Sequence, residues 1–151
     1  MRSEPVILLV EDSLDDLELL RRFFAKAGLQ KSLQAVPDGV EAMSHLLGRG
    51  KYADRAAYPE PNILLIDINM PRVNGLELMS WLRTQPDFEH LVVIALSGSA
   101  EQEEIDRAYQ MGANSYLLKP ASGGELERVI RAFWEYWGCS NYLPRLGSGS
   151  R

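Results

Sequence analysis

The chain has 151 residues, 16 basic and 21 acidic side chains, a net charge of −5, 46% hydrophobic content and 25% charged content. That length makes one domain with core enough to stand without metal or disulfide, the composition excludes disorder for the bulk of the chain, and acidity with scattered arginines excludes a nucleic-acid surface. A single cysteine, Cys139, excludes an internal disulfide or thiolate cluster. The apolar runs are too short to span a membrane, and Met1–Pro5 has none of the apolar segment of a signal peptide, so a cytoplasmic protein is expected.

Val6–Val10 is a continuous apolar run, suited to a strand buried on both faces. Ser13, with Asp16 three residues on, opens a helix whose apolar positions are Leu17, Leu20, Phe24 and Ala27 and which stops at Gly28. Asp15, Asp16 and Glu18 read as a solvated first turn that suits the helix dipole. Ser32–Val36 is a weaker strand. Asp38 with Glu41 caps a helix with an apolar face at Ala42, Met43, Leu46 and Leu47, ended by Gly48. Gly48–Pro61 has no period and reads as an extended loop with a helical turn at Ala53–Ala57. Ile63–Ile66 is the third strand. A helix follows over Gly75–Arg83 with Leu78, Met79 and Leu82 inward. Leu91–Leu96 is the fourth strand, and Ser99 with Gln102 caps a helix with Ile105, Ala108 and Met111 inward. Ser115–Leu118 is the fifth strand. Ser122 with Glu125 caps the last helix, whose stripe is Leu126, Val129, Ile130, Phe133 and Trp137. His45 and His90 read as surface histidines. Gly147–Arg151 is linker-like. The expected division is a domain over 1–138 and a C-terminal extension and flexible tail over 139–151.

Five strand–helix repeats require a mostly parallel sheet with helices on both faces, and such sheets carry their site beyond the carboxyl ends of the strands. Glu11 and Asp12 follow the first strand, Asp67 the third, Ser97 the fourth and Lys119 the fifth. Clustered carboxylates repel one another and need a cation, and hard oxygen ligands in this number suit Mg2+. A carboxylate can also act as a nucleophile and form an aspartyl-phosphate. Asp67, alone at the end of the central strand and facing the acidic pair, is the best nucleophile. Lys119 and the Ser97 hydroxyl supply the positive charge and the donor that an incoming phosphoryl group needs.

Glu11-Asp12, Asp67 followed by Met70-Pro71 and Gly75, then Ser97 and Lys119-Pro120 resemble, in order and spacing, the signature of response-regulator receiver domains. The resemblance runs from Val6 to Trp137. It implies the (βα)5 flavodoxin-like (CheY-like) fold with strand order 2-1-3-4-5. It implies Asp67 as phosphoacceptor, Asp12 as direct Mg2+ ligand, Glu11 acting mainly through water, and the Asn69 backbone carbonyl on the metal. It further implies Ser97 and Tyr116 as the switch pair, Lys119 bonding the phosphoryl group, and a cis Lys119–Pro120 bond. The implied function is a single-domain response regulator that takes a phosphoryl group from a sensor histidine kinase and switches partner binding. It catalyses its own phosphorylation and dephosphorylation and is not otherwise an enzyme. Ser99 and Asn69 occupy positions that in the family influence hydrolysis, and neither is a strong acid or base. The long Gly48–Pro61 loop, the lack of an output domain and the aromatic C-terminus resemble the regulators that pair with phytochrome-type kinases, with a downstream phosphotransfer protein as a further partner.

A haloacid-dehalogenase-type phosphatase would need a second aspartate where Asn69 stands, and a flavodoxin phosphate loop would be repelled by Glu11 and Asp12. The alternative from another class is a receiver-fold interaction module that works without phosphate. Trp134 and Tyr136 fall off the last helix's stripe, and Tyr142, Leu143 and Leu146 follow it. An apolar surface of this kind is expected to be covered by a second copy, making a homodimer.

Overall fold

The runs that read as strands are the middle of a five-stranded parallel sheet in the order β2-β1-β3-β4-β5. The computed structural model describes residues 5–29, 32–70, 74–119, 123–140 and 142. The strands are β1 (Ile7–Val10), β2 (Leu33–Val36), β3 (Ile63–Asp67), β4 (Val92–Ser97) and β5 (Ser115–Leu118). The helices are α1 (Leu14–Lys26), α2 (Gly39–Leu47), α3 (Gly75–Leu82), α4 (Gln102–Gln110) and α5 (Gly123–Phe133), the last running into a π-helical segment, Trp134–Ser140. β1, β3 and β4 are buried along their whole length, as a parallel sheet covered on both faces requires.

Alternate strand residues feed two cores. Ile7, Leu9, Ile63, Leu65 and Ile94 pack with Leu20, Phe23 and Phe24 of α1 and Ile130 and Phe133 of α5. The Phe24 and Phe133 rings meet edge to face at 6.0 Å. On the other face Leu8, Val10, Leu64, Ile66, Val93 and Ala95 pack with α2, α3 and α4. Ser13 and Asp38 cap α1 and α2 as expected, accepting from the N–H groups of Asp16 and Glu41. Asn74 forms a full capping box with Glu77 at α3.

Several expectations are corrected. Ser99 does not cap α4: its hydroxyl accepts from Glu101 N two residues on, and Glu101 takes the N-cap position without a side-chain bond. The expected turn in the long loop is present, closed by Tyr58 N–H donating to Asp54 O at 2.8 Å, and a 3-10 helix at Gly50–Ala53 precedes it. Ala27 is exposed, with Phe23 in its place on the buried face of α1. Leu47 is exposed and His45 is buried. The cause is the loop, which folds Tyr52 and Tyr58 against the His45 ring at 4.8 and 6.2 Å and leaves Leu47 outside. His90 is exposed as expected. The Ser122 cap, the Lys119–Pro120 bond, Leu143, Leu146 and the Gly147–Arg151 tail lie outside the described residues, as does the side chain of Leu126.

Candidate functional site

Strand register gathers the site. Val10 of β1 pairs with Ile66 of β3, so Glu11 and Asp67 leave the sheet at one level. β4 runs one residue further, since Asp67 pairs with Leu96 and Ser97 follows. Lys119 is bound to that edge by its own N–H, which donates to Ser97 O at 2.7 Å. Glu11, Asp67 and Ser97 are buried polar groups, while Asp12 is exposed at the mouth. Gly75 keeps the next helix close, because a Cβ there would stand 2.8 Å from Asp67 O and 2.5 Å from Ile68 Cα.

Lys119 Nζ donates to Asp16 Oδ2 at 2.9 Å and Asp67 Oδ2 at 3.0 Å and forms an ion pair with Glu11 Oε1 at 2.6 Å, so one ammonium meets three carboxylates. Burial works against the ammonium, but the bonds to Glu11, Asp16 and Asp67 outweigh it and raise the Lys119 pKa above the ordinary lysine value. Burial also pushes the Glu11 carboxyl well above the usual carboxylate range, Asp67 adds to the rise and Lys119 opposes it. That is the signature of a cluster short of positive charge. One oxygen each from Glu11, Asp12 and Asp67 lies within 4.8 Å of the others. This all-oxygen set fits a hard divalent cation such as Mg2+ and offers nothing to a softer metal.

The other half of the site is neutral. Asn69 N donates to Asp67 Oδ1 at 3.0 Å, and its side-chain amide donates to Ser97 Oγ at 3.1 Å. Ser97 Oγ also accepts from Ser99 N and donates to Glu104 Oε1. The Tyr116 hydroxyl donates to Ser99 O at 2.8 Å, holding the ring half-buried beside β4.

The structure thus brings together every residue singled out at the strand ends, together with Asn69 and Tyr116. Two more were missed. Asp16, read as a solvated helix residue, reaches Lys119; its place in the first turn of α1, just past the acidic pair, was the available signal. Glu104 is brought to Ser97 because α4 begins at Gln102, which sets Glu104 in its first turn; placing the cap at Ser99 hid this.

A 2-1-3-4-5 parallel sheet with three carboxylates, a hydroxyl and a lysine at its carboxyl edge defines the phosphoryl-accepting receiver class. The family model for the response regulator receiver domain matches residues 7–131, and the chain belongs to that family. The chain is 30% identical over 139 residues to the response regulator Rcp1 of Synechocystis sp., covering 92% of each chain. Among solved structures it is similar to the response regulator RPA3017 in red light signaling of R. palustris. There the identity is 39% and the TM-score 0.87, with 93% of this chain and 99% of that chain covered. It is also similar to the phosphorylated cyanobacterial phytochrome response regulator RcpA, at 29% identity and TM-score 0.85 over 95% of this chain and 100% of that one. A structure of Rcp1 in its Mn2+-bound form aligns at 29% identity and TM-score 0.81, covering 93% of this chain and 99% of that one. The chain is a response regulator of two-component signalling, and nothing among the described residues favours a phosphate-independent module. No helix of the described residues is long and apolar enough to cross a membrane.

Proposed function

We propose that Asp67 accepts a phosphoryl group from the phosphohistidine of a sensor histidine kinase and that this changes which partner the protein binds. One observation carries the reading: the Asp67 carboxylate is buried at the end of the central strand, with Lys119 Nζ 3.0 Å away inside a three-carboxylate cluster. An Asp67 oxygen attacks phosphorus, the P–N bond breaks, its electron pair returns to the imidazole nitrogen, and an acyl phosphate forms. Lys119 holds a fixed positive charge against the incoming oxygens, and the Ser97 hydroxyl supplies a donor. The group is lost by hydrolysis: water attacks phosphorus, the acyl P–O bond breaks, the Asp67 carboxylate leaves with its electron pair, and inorganic phosphate is released with the proton. The chain so catalyses only the making and loss of its own acyl phosphate. Asn69 and Ser99 offer no strong acid or base, so that loss is not unusually fast.

Glu11, Asp12 and Asp67, with the Asn69 backbone carbonyl, would hold Mg2+, Glu11 mainly through water. Bound there, Mg2+ supplies the positive charge that lets a phosphoryl group share the crevice with three carboxylates. The Mn2+-bound form of Rcp1 supports this metal site.

The donor in this reading is a phytochrome-type kinase in the cytoplasm, supported by relatives whose names place them in red-light and phytochrome signalling. A phosphotransfer protein further on is a second partner. Residues 1–138 form the receiver domain and 139–151 an extension. A homodimer through the end of the last helix is supported by Tyr136, 55% exposed, and Tyr142, 77% exposed. Light scattering of the full chain against a form truncated after Gly138 tests the dimer.

The phosphoacceptor is tested with a small phosphodonor and Mg2+, read by intact mass. Wild type is expected to gain one phosphoryl group. Asp67→Asn, isosteric with the wild-type side chain, is expected to lose at least about a hundredfold in labelling, and excess chelator to stop the reaction. Full labelling of Asp67→Asn would remove the assignment.

A further inference from the structure

A serine hydroxyl has one proton to give and can accept two hydrogen bonds. At Ser97 all three positions are filled. Oγ accepts from the Asn69 amide at 3.1 Å and from Ser99 N at 3.1 Å, which leaves its proton for Glu104 Oε1 at 3.3 Å. Ser97 has no exposed surface, so the proton has no bulk water to turn to. Glu104 stands in the first turn of α4, and its charge extends to Tyr116. Burial raises the Tyr116 phenol above its ordinary value, the contact with Ser97 opposes this, and the Glu104 charge adds to it. The Glu104 carboxylate therefore meets the Ser97 hydroxyl directly, while Tyr116 is held by Ser99 O at the start of the same loop.

We propose that Glu104 is a positioning residue of the switch: in the unphosphorylated protein it holds the Ser97 hydroxyl proton, and with it the first turn of α4, until a phosphoryl group on Asp67 competes for that proton. The inference rests on Asp67 being the phosphoacceptor. No covalent bond changes in this step. The Ser97 O–H turns from Glu104 Oε1 to a phosphoryl oxygen, and the Glu104 side chain is left in the first turn of α4 without that proton to accept. Once the phosphoryl group is in place, its charge and that of Glu104 repel each other across the loop, which drives the first turn of α4 away. The same residue is the resting tie and the lever that acts when the tie is broken. Two arrangements of the face made by α4, β5 and α5 are then populated in a ratio that Glu104 sets.

The test is a set of amide and tyrosine nuclear magnetic resonance spectra of the full chain, before and after labelling with acetyl phosphate and Mg2+, with intact mass counting the label. The variants are Glu104→Ala, Glu104→Gln, Ser97→Ala and the double variant Ser97→Ala with Glu104→Ala. In unlabelled protein, Glu104→Ala is expected to move the resonances of Tyr116 and of the first turn of α4 toward their labelled wild-type positions. The expected size is a roughly three- to tenfold change in the switching constant, the net range of one ordinary hydrogen bond. Glu104→Gln keeps an acceptor without the charge and is expected to fall between. With Ser97→Ala present there is no proton to hold, so Glu104→Ala is expected to do nothing further, a coupling that a merely structural role for Glu104 would not produce. Labelled wild type with unmoved Glu104→Ala spectra would overturn the tie alone, as would an equal effect of Glu104→Ala with and without the Ser97 hydroxyl. No label on wild type would overturn the phosphoacceptor reading and the tie with it.

Discussion

Two corners of the molecule bury polar side chains, and they do so on opposite terms. In the strand-end crevice Glu11, Asp67 and Lys119 are ionisable groups that partner one another, with like charges outnumbering unlike ones. In the corner between α2 and the long loop, His45 is buried beside Tyr52 and Tyr58, and burial holds its imidazole neutral. There Tyr52 Oη donates to Glu41 Oε2 at 2.5 Å, and Arg55 donates to Leu46 O and Tyr58 O, closing the end of α2. The second corner crowds no carboxylates together, and its unpartnered polar atom is His45 Nδ1. The first is short of positive charge, with three carboxylates around one ammonium. Buried polarity marks a site only where its own electrostatics are incomplete.

The contrast predicts that substitutions in the aromatic corner cost stability and leave chemistry alone. Tyr52→Ala empties a buried ring position and leaves Glu41 without its donor. It is expected to cost about 4 kcal/mol in denaturant unfolding while labelling of Asp67 keeps its wild-type rate. A labelling defect as large as the stability defect would mean the two corners are one unit.

The crevice should behave in reverse, with stability depending on what is bound. Lys119→Ala leaves three carboxylates without a common partner and is expected to cost about 3 kcal/mol in metal-free buffer. Millimolar Mg2+ should restore much of that loss, and the variant should label on Asp67 yet switch poorly. A loss that Mg2+ does not touch would show that Lys119 serves packing and not charge.

The division between the corners also explains what could be read from residues alone. The crevice was legible because parallel strands export the residues after their last apolar position to one edge, so Glu11, Asp67, Ser97 and Lys119 could be placed by counting. The aromatic corner was not. Gly48–Pro61 has no period, and without its path nothing in the helix pattern of α2 buries His45 in preference to Leu47. The same holds for Glu104, whose position depends on a loop turn made by Ser99 two residues before the N-cap Glu101 and not on any apolar spacing. Long-range packing of irregular segments is the information that periodicity lacks.

At Gly75 the start of α3 lies close against the end of β3. Gly75→Ala would set a Cβ 2.5 Å from Ile68 Cα and 2.8 Å from Asp67 O and Ile66 Cγ2, mostly backbone that must shift. The expected cost is about 2–3 kcal/mol, with a several-fold loss of labelling because Asp67 moves with its own carbonyl. A stability loss with unchanged labelling would show that β3 yields without disturbing its end.

The smallest expected effect is a pH dependence that belongs to the aromatic corner alone. Burial, and after it the Arg55 charge, lower the His45 pKa from the ordinary imidazole value of 6.5 to about 4. The geometry gives the reason. Nε2 lies 2.8 Å from Gln34 Oε1, which accepts its proton, while Nδ1 is buried with no acceptor to receive a second one. The unfolded chain therefore takes up a proton near pH 6.5 that the folded chain refuses until about pH 4. Stability is fully present above pH 6.5 and is lost as the pH falls through the window between the two values. Between pH 7 and pH 5 the loss amounts to about 2 kcal/mol. Glu11, whose pKa is raised in the folded state, contributes with the opposite sign over the same range, so the wild-type curve alone mixes the two. His45→Leu removes the imidazole and leaves Glu11 in place. Urea unfolding of both proteins at several pH values, subtracted one from the other, should return a slope that favours the wild type at neutral pH and flattens below pH 4. A difference that does not change with pH would mean that His45 is protonated in the folded protein and that the corner is not neutral after all.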